Sequence, residues 1–439
     1  MTQIIDTLIH PGWIITVNDN NDILRDHSIA IKDGKIIDLI KSSIATQSYQ
    51  ASVEYSLPDQ AVIPGLINCH GHSPMTLLRG LADDLPLMDW LNNFIWPAES
   101  KWVSPEFVYT GTQIAIAEML RSGTTCFTDM YFFPEQTALA AEQSGIRVML
   151  GLIVINFPSA YAQNEEDYFN KGLALHDNLR YHNLIKTSFA PHAPYSVSDE
   201  GLKKLSILAE ELDIPIQIHL HETEFEVNEA LKLHGNRPIA HLEKLGLLSP
   251  RLLASHMTQI TNDDIKLAAD NGINIVHCPG SNLKLASGFC PVQKLLDNNI
   301  NVVLGTDGAA SNNDLDMLSE MHTATLLAKA VAQNAQACTA EQMLRIATIN
   351  GAKALGLDDK IGSIEINKLA DIVSIDLNTI ETQPLYNPIS QIIYSSTRDQ
   401  IKNVWVNGAH LLKNRELTTL DLDVLLQSAK IWSDKIHKS

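Results

Sequence analysis

No stretch of this chain stays apolar for the ~20 residues that a membrane-crossing helix needs. The N-terminus carries Asp6 and His10 where a secretory leader would have its apolar core. Both features point away from the membrane and toward the cytoplasm. Cysteine is scarce: Cys69, Cys126, Cys278, Cys290 and Cys338 are an odd number, widely scattered and mostly set in apolar segments. That pattern excludes a disulfide framework and reads as reduced thiols. Basic residues are also short, 32 against 51 acidic ones, for a formal net charge of -19. Such a field repels polyanions, so neither nucleic acid nor an anionic membrane is an expected partner. Solenoid repeats and low-complexity tracts are missing as well.

What is present is length and a change of texture. The 439 residues suffice for one barrel-sized domain and a smaller one. Thr7 to Val17 and Ser28 to Ile40 read as β segments around a polar turn, with Asp33-Gly34 as a hairpin turn. Leu369 to Asp376 and the Asn407-Gly408 hairpin repeat that texture at the far end. The two ends are expected to build one small β-sandwich, residues 1–60 with 361–439. Between them, across 61–360, apolar strands alternate with helical stretches. The strands are expected at Val62–His72, Thr124–Met130, Arg147–Val154, Ile185–Ala193, Pro215–Thr223, Leu252–Met257, Ile273–Pro279 and Asn301–Gly308. Eight parallel β/α units predict a TIM barrel. Ser104 before Pro105, and Ser198 before Asp199 and Glu200, are helix-start signals. Ser73 to Lys101 departs from the pattern: it is long and apolar, with Trp90, Phe94 and Trp96, and is expected to be a pocket wall or lid.

In a β/α barrel, functional side chains sit where the strands end at their C-terminal side. Here those ends carry His70 and His72, His192, His219 with Glu222, His256, His277, and Asp307. On an extended strand His70 and His72 point the same way. Together with His219 and Asp307 they would close a mononuclear divalent-metal site and leave a position for water. Metal binding can bring the pKa of water from about 15.7 to about 7, roughly 12 kcal/mol toward hydroxide. Asp307 is the natural acceptor of its proton. Glu222, three residues past His219, can reach into the site without being a ligand. His221 alternates with His219 and should face away. His256 is placed to steady a developing alkoxide. His277 fits pocket or packing equally, and Cys69 and Cys278 are expected to pack.

The segments Pro64-Gly-Leu-Ile-Asn-Cys-His-Gly-His72, His219-Leu-His-Glu222, Ser255-His256, His277-Cys-Pro-Gly-Ser-Asn282 and Gly305-Thr-Asp-Gly308 resemble the amidohydrolase superfamily, and within it the 5-methylthioadenosine/S-adenosylhomocysteine deaminases. The resemblance covers nearly the whole chain. It implies a metal-containing barrel with a β-sandwich built from both termini. It also implies one zinc or similar ion on His70, His72, His219 and Asp307, a purine nucleoside as substrate, and a homodimer. Glu222 would be the proton shuttle to ring nitrogen N1. His192 and His256 would line the substrate site and Glu99 would hold the substrate. Some relatives with two metals use a carboxylated lysine on the fourth strand; Lys186 lies early in that strand, which favours one metal.

Relatives that use S-adenosylhomocysteine hold its carboxylate with an arginine after the third strand. No Arg occurs between Arg147 and Arg180, and Arg147 sits at the wrong end of its strand. Arg79 in the insertion is a candidate substitute. The expected reaction is therefore hydrolytic deamination of methylthioadenosine or adenosine rather than S-adenosylhomocysteine. The alternatives are the same chemistry on guanine, an oxidised purine, a pterin or a triazine, and a non-catalytic barrel retained as a scaffold.

Overall fold

The computed structural model describes residues 2–437. Eight parallel strands form the barrel: β1 (Leu66–Asn68), β2 (Thr124–Asp129), β3 (Arg147–Val154), β4 (Ile185–Pro191), β5 (Ile216–Leu220), β6 (Leu252–His256), β7 (Asn274–His277) and β8 (Asn301–Leu304). Each strand pairs with the next in parallel, and the Cys69 amide donating to the Leu304 carbonyl at 2.9 Å draws the first and last together. The strands are almost wholly buried, as expected of a sheet covered on both faces. Ser104 caps its helix by accepting from the Phe107 amide, and Ser198 by accepting from Gly201.

A second sheet of nine strands collects both ends of the chain. Its central strand, Tyr49–Pro64, lies parallel to Gln3–Ile15 on one side and antiparallel to Ile372–Asp376 on the other. The Asn407-Gly408 turn takes the left-handed conformation at both residues, the geometry a two-residue hairpin requires. Arg147, at the start of β3, reaches this sheet through a buried, two-pronged pair with Asp371, Nε to Oδ2 at 2.9 Å and Nη2 to Oδ1 at 3.0 Å.

One expected strand is two. The run Val62–His72 breaks at Gly65: the residues before it complete the Tyr49–Pro64 strand, and only Leu66–Asn68 enters the barrel. A side chain at Gly65 would meet Thr125 at under 3 Å, so the backbone crosses from sheet to barrel where nothing larger fits. His70 and His72 therefore lie beyond the strand.

The 73–103 insertion folds as a short 3-10 turn followed by three short helical pieces. Met75, Leu78, Trp90, Ile95 and Val103 form their own apolar cluster with Phe107, Tyr131, Leu285 and Trp432. Trp432 comes from the Leu422–His437 helix and meets Phe107 edge-on at 5.3 Å. No helix among the described residues is long and apolar enough to cross a membrane. All five cysteines are buried and free.

Candidate active site

At the C-terminal mouth of the barrel, His70, His72, His219 and Asp307 present one ligand atom each within 4.8 Å of one another. The backbone chooses which nitrogens face inward. His72 Nδ1 donates to the Met130 carbonyl at 2.7 Å and His219 Nδ1 to the His192 carbonyl at 2.7 Å, which leaves both Nε2 atoms as lone-pair donors. The His219 Nε2 lies 3.1 Å from that of His70 and 3.3 Å from that of His72. Asp307 Oδ1 adds its charge 3.1 Å from His72 Nε2 and 3.5 Å from His70 Nε2. Neutral imidazole lone pairs aimed at one another repel unless a cation stands between them. Burial drives His70 down to about 4 and His219 well below its ordinary value, so neither ring is suited to carry a proton. Burial also opposes charge on His72, but Asp307 outweighs it and pushes that ring up to about 9. The nitrogen-rich donor set with one carboxylate fits a divalent transition ion.

The remaining oxygen of Asp307 is held in place. Its Oδ2 accepts from the hydroxyls of Ser281 at 2.6 Å and Ser311 at 2.9 Å, while Gly308 N donates to Oδ1 at 2.8 Å. His256, at the end of β6, is 1 % exposed and its Nε2 lies 3.9 Å from Glu222 Oε2. Burial, with a push from Asp307, outweighs the attraction of His256 and raises Glu222 above its ordinary value. That favours a carboxyl that carries a proton to give away. His192 stands just past β4, its Nδ1 3.1 Å from Ser196 Oγ and its ring 4.8 Å from that of His219.

These groups face one cavity of about 740 Å³. His72, His192, His219, Glu222, His256 and Asp307 line it, and Trp90, Trp96 and Glu99 of the insertion line it as well. His70 lies beneath, fully buried. Glu99 is half-buried and accepts from the Tyr131 hydroxyl at 2.6 Å. Burial raises it, and the Tyr131 bond opposes the rise.

Arg79 does not enter the cavity. It pairs with Glu118 and donates to the Asn313 carbonyl at 2.6 Å, so it is no substitute clamp. Among the described residues no lysine or arginine lines the cavity. His221 faces away, its Nδ1 2.9 Å from the Gln259 carbonyl and its Nε2 accepting from Ile239 N at 3.0 Å. His277 is buried outside the lining, with neither ring nitrogen bonded among the described residues. The sequence reading missed Ser281, Asn282, Ser311 and Tyr131. The first two lie in the quoted segment around Pro279, but only the fold reveals what they touch.

A family model described as "Amidohydrolase family" matches residues 61–411. The chain belongs to the amidohydrolase family. It is 48% identical over 432 residues to a 5-methylthioadenosine/S-adenosylhomocysteine deaminase of Saccharophagus degradans, covering 98% of this chain and 97% of that protein. A solved adenosine deaminase from Xanthomonas campestris with bound zinc superposes with a TM-score of 0.99 at 47% identity, covering 100% of both chains. An atrazine chlorohydrolase from Arthrobacter aurescens shares the amidohydrolase fold, with a TM-score of 0.90 at 24% identity over 97% of this chain and 100% of that one.

Proposed function

We propose that this amidohydrolase deaminates 6-aminopurine nucleosides, with 5′-methylthioadenosine as its preferred substrate and zinc as its ion. The observation that carries the reading is the convergence of a three-histidine, one-aspartate cluster and the buried Glu222, whose carboxyl burial raises, on one largely apolar cavity. The names of the relatives support the same reaction.

A divalent ion on His70, His72, His219 and Asp307 would supply Lewis-acid activation of a water. The chain's own groups do the rest. Glu222 gives its proton to N1 of the purine, which makes C6 electrophilic. As the water oxygen bonds to C6, Asp307 takes one of its protons, and His256 stabilises the oxygen of the tetrahedral adduct. Asp307 then passes its proton to the amino group and Glu222 removes the proton of the new C6 hydroxyl. The C6–N bond breaks, ammonia leaves, and the 6-oxo product keeps the proton on N1. Water and nucleoside together supply every atom of the two products. Tyr131 occupies one oxygen of Glu99, leaving the other to accept from a ribose hydroxyl.

The substrate preference rests on charge. Among the described residues no lysine or arginine lines the cavity, so the carboxylate of S-adenosylhomocysteine would be desolvated there without an ammonium or guanidinium to pair with. The methylthio group of methylthioadenosine suits Trp90, Ile95, Phe132 and Ile153, which line the same cavity.

The test is ammonia release, with the ultraviolet change of 6-amino to 6-oxo conversion, on methylthioadenosine, adenosine, S-adenosylhomocysteine, guanine and a triazine. Each is run before and after chelation. Chelator-sensitive turnover, fastest on methylthioadenosine and weak on S-adenosylhomocysteine, is expected. A metal-loaded protein that turns over no purine nucleoside would overturn the substrate assignment.

A further inference from the structure

Glu226 takes part in no step above, yet the residue is 7% exposed and its carboxyl group contacts the backbone of the proton shuttle. Its Oε1 accepts from the backbone N–H of His221 at 3.0 Å and its Oε2 from that of Glu222 at 2.7 Å. Glu226 is in the first turn of the Glu224–His234 helix, whose cap is Thr223; the Thr223 hydroxyl accepts from the Glu226 amide at 3.3 Å. In an ordinary capping box, a glutamate at that position returns to the amide of the cap residue itself. Here it reaches past Thr223 to the two residues before it, the second of which is the shuttle.

The peptide unit it grips is pinned elsewhere as well. The Glu222 carbonyl accepts from Thr258 Oγ1 at 2.7 Å. His221 holds a left-handed backbone, φ 53°, and its ring is tied to Gln259 and Ile239. A non-glycine residue stays in that conformation only where its surroundings overdetermine it. His219, by contrast, is fastened separately: its amide and its Nδ1 both donate to the His192 carbonyl, at 3.1 Å and 2.7 Å. The grip on residues 221 and 222 is thus distinct from the grip on the metal-facing ring. A carboxylate is the side chain that can do this, because two consecutive N–H groups need two acceptors on one fork. A glutamine offers one acceptor and turns a donor toward the other N–H.

We propose that Glu226 is a positioning residue that aims Glu222 at the ring nitrogen of the substrate. The inference rests on the deaminase reading above for what Glu222 does, but the anchoring itself can be read without turnover.

The experiment compares the zinc-loaded wild type with Glu226→Gln, Thr223→Ala, Glu222→Gln and the Glu222→Gln/Glu226→Gln double variant. In Glu226→Gln, kcat on methylthioadenosine should fall about 10- to 100-fold, the range typical of lost supporting shells. KM should stay within about twofold and the zinc content should not change. Thr223→Ala removes only the helix cap and should lower Tm while leaving kcat alone. In the Glu222→Gln background, Glu226→Gln should cost nothing further, because the residue it acts through is already silent. Independently of activity, Glu226→Gln should speed amide hydrogen exchange at His221 and Glu222 about tenfold or more, with β5 unchanged. Faster exchange in a chain whose wild type deaminates no nucleoside would keep the anchor and remove the deaminase reading. The proposal is overturned by Glu226→Gln with wild-type kcat, by an effect that persists undiminished in the Glu222→Gln background, or by loss of zinc instead of rate.

Discussion

His256 and Asn282 face each other across the barrel mouth, Nδ1 to Oδ1 at 2.8 Å. That contact leaves the Nε2 of His256 as the ring nitrogen that faces Glu222 and the cavity. Asn282 therefore decides which face of the imidazole the substrate meets. Replacing Asn282 by Leu should lower kcat about 10- to 100-fold with little change in metal content. Metal analysis beside steady-state kinetics checks both halves of that expectation.

Removing the ion should do more than stop turnover. A ligand that binds only the folded state stabilises it by mass action. Chelated protein should melt at lower temperature than zinc-loaded protein, and added zinc should restore both Tm and deamination. A chelated sample with full activity would remove the metal from the reaction.

Glu222→Gln keeps the shape of the shuttle and removes its exchangeable carboxyl proton. The loss in kcat should be about 10²- to 10⁴-fold, the range of a general acid, with zinc retained because residue 222 is not among the four clustered donors. An intact rate would place the acid elsewhere.

The two tryptophans of the insertion should separate. Trp96 is 37% exposed and lines the cavity, so Trp96→Ala should raise KM and leave Tm unchanged. Trp90 is 5% exposed within the apolar cluster of the insertion. Trp90→Ala should raise KM and also destabilise by about 3–5 kcal/mol. Thermal melts beside substrate titrations distinguish the two.

Glu320 gives a pH signature carried by a group outside the four clustered donors. It accepts from Gly280 N at 3.0 Å and Asn312 Nδ2 at 2.9 Å, and burial pushes it up to about 8. A carboxyl raised on folding binds more protons in the native state than in the unfolded one. Its contribution is whole below the ordinary glutamate range and is lost as pH climbs through about 8. Tm should fall as pH rises from 6 to 9, and the Glu320→Gln variant should show a flatter profile. Parallel slopes would mean that Glu320 titrates normally.

How far the site can be read from residues alone follows from what kind of information each residue carries. His70, His72, His219 and Asp307 were legible because each falls where a barrel strand gives out, and a strand end is visible as an apolar run meeting a polar residue. The start of β1 was not legible: Val62 to Asn68 is apolar nearly throughout, and the break at Gly65 is imposed by Thr125, a residue sixty positions later. Arg79 looked available because its charge can be read in the sequence, whereas its engagement with Glu118 cannot. Ser281, Asn282, Ser311 and Glu226 are short or common polar residues whose roles depend on a partner brought near by the fold.

The buried pair of Arg147 and Asp371 bears on motion. It fastens the base of the barrel to the sheet built from both chain ends, and Asp371 also accepts from the Asn407 amide at 2.7 Å. Swinging the two parts apart would strand one charge without its partner in a dry joint, a cost of several kcal/mol. A hinge at that joint is therefore opposed, and the cavity, at the other end of the barrel, takes part of its wall from the insertion instead.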